Sequence, residues 1–130
     1  MLGAALKYLY PQSRPLIDWE VRDDGDGSYL FAWNLPTPQP TPAEIAAAEL
    51  PAAKAAAIAA NRADCSRRIF ERYPAGRQLS ALAGLYDSAN VATMVDWIAA
   101  NVAAENTAAD SIEAATTVAA VEAVAVVWPA

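Results

Sequence analysis

Apolar residues in the first ten positions, Leu2, Ala5, Leu6, Leu9 and Tyr10, recur at helical spacing, so the pattern predicts a short helix that Pro11 ends. From Ile17 the period falls to two: Ile17, Trp19 and Val21 alternate with Asp18, Glu20 and Arg22, the pattern of a half-buried strand. After "DDGDG" a second alternating run follows, with Tyr29, Phe31 and Trp33 as its large residues. Two such runs joined by a short Gly/Asp-rich loop predict a β-hairpin whose aromatics pack over the first helix.

"NLPTPQPTP" then places prolines at 36, 38, 40 and 42, which favour an extended spacer and a domain boundary. "TPAE" follows, with Thr41 as helix cap, Pro42 at the first helical position and Glu44 completing a capping box. The helix so started carries Ile45, Leu50, Ile58, Cys65, Ile69 and Tyr73; Pro51 inside it costs roughly 3 kcal/mol, which predicts a kink or break near Leu50. "RYPAG" stops it, with Gly76 free to take a positive φ. Leu79, Leu82, Leu85 and Tyr86 predict another short helix, and Met94, Ile98, Val102, Ala109 and Ile112 share one face of a helix from Val91 to about Ala115. Val118 to Val127 is rich in β-branched residues; its spacing favours a last helix.

The expected architecture is therefore α+β and mostly α overall. A helix plus β-hairpin unit spans 1–35, a proline-rich spacer 36–42, and an Ala-rich α-helical bundle of about four helices 43–130. About a quarter of the 130 residues are alanine, so the 55% hydrophobic content overstates the core and the helices should have thin packing faces. Such faces allow close helix approach, and another chain's helices, including a second copy in a homo-oligomer, could complete the bundle.

A net charge of −6 argues against a nucleic-acid phosphate backbone as partner. The N-terminus lacks the basic start and apolar run of a secretory signal. The apolar tract from Thr117 to Ala130 is too short for a membrane span, so a soluble protein is expected, without a membrane partner. Cys65 stands alone, which precludes an internal disulfide and suits a small packing residue.

The chain has no histidine, which removes Ser-His-Asp and Cys-His catalytic arrangements and Cys/His zinc sites within it. Its five glycines are scattered, and none forms a phosphate-cradling loop. Asp24, Asp26 and Ser28 alternate as calcium ligands would, but Tyr29 falls where an EF-hand loop needs glycine and no closing Glu follows. A turn accounts for every residue: the aspartates accept bonds from turn amides and the glycines supply positive φ. Asp18 and Glu20 lie on one outward strand face, a solvated arrangement rather than a glycosidase pair. Neither a catalytic residue nor a cofactor or metal ligand is expected.

Two groups remain as partner-binding candidates. One is the hairpin aromatics Trp19, Tyr29, Phe31 and Trp33, too many for one short helix to cover. The other is the basic concentration Arg62, Arg67, Arg68, Arg72 and Arg77. Within it, Arg67, Arg68 and Arg72 suit either ion pairs with Asp64 and Glu71 or an acidic partner.

Tyr10-Pro11, Trp19, Asp23 to Gly27, Tyr29, Trp33-Asn34 and Pro38 to Thr41 together resemble the N-terminal part of the XkdW family, small proteins encoded beside tail fibre genes of bacteriophages and prophages. The resemblance covers about the first 45 residues. The remainder is more loosely similar to helical segments of phage tail-associated proteins. The resemblance implies a non-enzymatic tail component whose partners are tail fibre or baseplate proteins, located in the virion tail and in the host cytoplasm during assembly. The alternative it implies is a dissociable tail fibre assembly chaperone.

Overall fold

The computed structural model describes residues 1–130. Five helices and one antiparallel hairpin follow one another as α1 (Leu2–Leu9), β1 (Trp19–Asp23), β2 (Ser28–Trp33), α2 (Pro42–Arg72), α3 (Ala75–Leu82), α4 (Ser88–Ala114) and α5 (Val118–Glu122). The protein is mostly α with a small β unit, as the periodicity predicts.

Ala5 and Leu6 are completely buried, because α1 lays this face on α2. The proline-rich segment therefore joins two parts that touch: Pro40 is buried and the Trp33 indole donates to the Thr37 carbonyl at 2.7 Å. The capping box forms as the sequence predicts. The Glu44 amide donates to Thr41 Oγ1 at 3.2 Å and the Thr41 amide to Glu44 Oε2 at 2.7 Å.

Helix α2 runs 31 residues without interruption through Pro51, so the break expected near Leu50 does not occur. Ala48 and Ala52, on either side of the proline, are buried where α2 meets α1 and α5. Packing on both flanks outweighs the local cost of one missing amide donor.

Helices α2 and α4 form the central antiparallel pair. Arg68 bonds Asn101, Arg62 pairs with Glu105 and Lys54 donates to the Glu113 carbonyl, partners that run in opposite directions along the two helices. The buried face of α4 is Met94, Asn101, Glu105, Ala108 and Ile112. Val102, placed on that face by the apolar pattern, is exposed instead, because Asn101 and Glu105 find cationic partners on α2.

Gly76 lies inside α3 and has no positive φ; Gly84, at φ +75°, ends that helix instead. The last helix, expected to reach Val127, closes at Glu122. Residues 124–130 continue without regular structure, and side chains of α2 and α4 take up the Pro129 and Ala130 carbonyls.

Candidate functional site

The hairpin is built around its acidic loop. Gly25 and Gly27 adopt φ of +105° and +106°, where an L side chain is strained, and the Gly25 amide donates to Asp23 Oδ1 at 2.9 Å. Tyr29 Oη donates to Asp24 Oδ2 at 2.6 Å, and that bond raises the phenol above its ordinary pKa. Asp23 and Asp24 thus shape the turn and tie β2 to it, in keeping with the spacing of the loop residues.

Cross-strand partners pair Trp19 with Trp33, Val21 with Leu30 and Arg22 with Tyr29, with a bulge between Glu20 and Val21. Residues paired across a ladder share a face. Trp19 and Val21 share one face, so Leu30 and Trp33 must share it too, three residues apart on β2; only the bulge makes that spacing compatible with a strand. The aromatics Tyr29, Phe31 and Trp33 consequently do not form one stripe.

Trp19 is 5% exposed and its indole donates to Ser13 Oγ at 2.8 Å, while Ser13 Oγ donates to the Tyr10 carbonyl. Trp33 is half-buried and meets Tyr10 edge to face with ring centroids 5.0 Å apart. Both tryptophans are interior supports. On the outer face, Tyr29 is 41% and Phe31 50% exposed, and the Arg22 guanidinium stacks 3.3 Å from the Phe31 ring centroid. Glu20 pairs with the Arg22 guanidinium at 2.7 Å. Beside this face, Leu2, Tyr29, Leu30, Pro40 and Ile45 line a shallow groove between the hairpin and α2.

Asp18 and Glu20 are separately engaged and do not act as a carboxylate pair. Asp18 accepts from the Arg14 amide at 2.7 Å, which holds its carboxyl below the usual range, and Glu20 is paired with Arg22.

The arginines fall into two roles. Arg67 pairs with Asp64 and Glu71 on the surface of α2. Arg68 donates to Asn101 Oδ1 at 3.0 Å and to the Pro129 carbonyl at 2.9 Å, and lies 5.1 Å from the Trp128 ring. Arg72 sits over Trp97 at 4.5 Å and reaches the Ala130 carbonyl, to which the Trp97 indole donates at 2.7 Å. Arg68 and Arg72 thus clamp the chain's own residues 128–130 rather than forming a free basic patch. Arginine and tryptophan spacing on α2 and α4 contains no trace of this clasp, because its acceptors are backbone carbonyls.

A completely buried Asn101 and an enclosed Glu105 also fall outside the apolar pattern. Asn101 donates to the Trp97 carbonyl; Glu105 Oε1 has no hydrogen-bond partner and lies 3.7 Å from Arg62 Nε. Cys65 is buried nearby; burial, reinforced by Glu105 and opposed by Arg68, pushes its thiol above the ordinary value, away from reactivity.

No helix is long and apolar enough to cross a membrane. A supported hairpin with an aromatic outer face, carried beside a long helical pair, defines a small helix-and-hairpin module. Residues 2–57 match the XkdW protein family. Among curated relatives, the phage-like element PBSX protein XkdW of Bacillus subtilis (strain 168) is 49% identical over 45 residues, 35% of this chain and 41% of the relative. The uncharacterized protein YqcD of the same strain is 41% identical over 46 residues, 34% of this chain and 41% of the relative. The chain spans about two fifths of the length of each of these relatives. No solved structure matches.

Proposed function

We propose that this protein is a non-enzymatic, phage- or prophage-associated tail component that attaches to tail fibre or baseplate proteins through the outer face of its hairpin. The phage association is supported by the name of the relative from a phage-like element, matched over the segment that builds the hairpin. The observation that carries the docking role is the Arg22–Phe31–Tyr29 face. Its ring and cation are stacked in advance, so little side-chain freedom is lost on contact, and aromatic and Arg residues dominate binding energy at protein interfaces.

Pull-down of the full chain with the products of neighbouring tail genes tests the reading. Replacing Tyr29 and Phe31 together by Ser is expected to weaken capture at least about tenfold, the loss of one anchor's worth of binding. Capture that is unchanged by the double substitution overturns the hairpin as the docking face. The second reading, a dissociable assembly chaperone, differs in the finished particle: stoichiometric copies in purified virions support the structural role, and absence from them the chaperone.

A further inference from the structure

Helix α4 carries its apolar residues around the helix rather than on one side. Besides the face buried on α2, Ala92, Val95, Ala99, Val102, Asn106 and Ala109 recur at alternating spacings of three and four, the heptad a and d positions of a coiled-coil seam. All but Ala109, which is half-buried, are exposed, with Val95 at 50% and Val102 at 41%. The polar residues Thr93, Thr107 and Ser111 lie elsewhere on the helix, their hydroxyls bonded back to its carbonyls.

The chain exposes 8,205 Å². A compact monomer of 13.7 kDa would expose about 6,600 Å². The surplus of roughly 1,600 Å² is spread over the whole chain, and it leaves room for the about 800 Å² that each partner buries in a standard interface. We propose that the Ala92–Ala109 stripe of α4 is the seam of a parallel two-stranded coiled coil with a second copy of this chain.

Two features select the parallel arrangement of the two copies. Asn106 stands at an a position, where in a parallel pair it faces its own counterpart and the two amides satisfy each other; against an apolar d position, as in an antiparallel pair, it would be left unpaired. Asp96 and Asp110 occupy e positions: antiparallel helices would bring these two acids together, whereas a parallel pair sets Asp96 beside the neutral Val91. The parallel pair also sets Asp110 near Glu105, a like-charged contact that Arg62, 3.7 Å from Glu105 and 72% exposed, offsets. Arg62 and Arg68 flank Cys65 at three residues on either side, so Arg62 projects on the side of the pair away from the clasped residues 128–130.

Sedimentation of the full chain at about 100 µM is expected to give twice 13.7 kDa. Val95→Glu with Val102→Glu, both at exposed positions, is expected to return the chain to monomer with its helical circular dichroism intact. Ala99→Cys is expected to cross-link to dimer on oxidation, while the parent chain, whose Cys65 is buried, does not. A monomeric parent chain overturns the proposal. So does a dimer indifferent to the glutamates, which would move the contact to another surface such as the exposed Leu79 and Leu82 of α3. A glutamate-sensitive dimer that the Ala99→Cys substitution fails to cross-link overturns the parallel register.

Discussion

Glu44 shows how a single side chain sets both a helix start and a pH dependence. Its carboxylate accepts from the Thr41 amide and hydroxyl, and these bonds hold it below the usual carboxylate range. Asp18 is lowered in the same direction by the Arg14 amide first and its guanidinium second. A carboxyl depressed in the folded state takes up protons more readily when unfolded, so its contribution is present above the unfolded value and is lost as pH falls through the folded one. Stability should therefore decline as pH drops below about 4. Glu44→Gln, which cannot ionise, should flatten that decline in acid denaturation followed by circular dichroism; an identical acid profile would show that the box carries no such linkage. The Thr41–Glu44 spacing makes this pair legible in the sequence, since capping is a contact between near neighbours.

At the scale of elements, the instructive case is α2. Pro51 predicts a break on local grounds alone, and the helix passes through it because Ala48 and Ala52 are held by neighbours. The proline remains a cost within an element that packing maintains. Pro51→Ala should raise the thermal midpoint, by an amount corresponding to between about 1 and 3 kcal/mol. A lowered midpoint would mean that the ring itself is needed where it sits. The hairpin is the converse case. Its loop and strands are legible from "DDGDG" and the alternation, but the bulge at Glu20/Val21 is not, and the bulge decides that Trp33 turns inward while Tyr29 and Phe31 stay outward. A one-residue irregularity reverses facing without altering composition.

For the whole molecule, the polar contacts between α2, α4 and the C-terminal residues carry a share that alanine-rich faces do not. Arg68 joins the buried Asn101 to the Pro129 carbonyl, so Arg68→Ala should cost about 2 kcal/mol by leaving a buried amide oxygen unpaired. It should also free the clasped residues 128–130, read as stronger acrylamide quenching of tryptophan fluorescence from Trp128 and Trp97; quenching equal to the parent's would show that the clasp does not depend on this side chain. The sequence by itself determined the helices, the hairpin, its turn and the capping box, because each is encoded by spacing or by residues a few positions apart. It determined as well that no histidine-based chemistry is available within the chain. Only the tertiary structure decided that the proline-rich segment joins touching parts, that Asn101 and Glu105 displace Val102 from the interior, and that Arg68 and Arg72 grip the chain's own carbonyls. Those outcomes depend on which groups meet across tens of residues, and a buried polar atom is tolerated only where such a partner arrives.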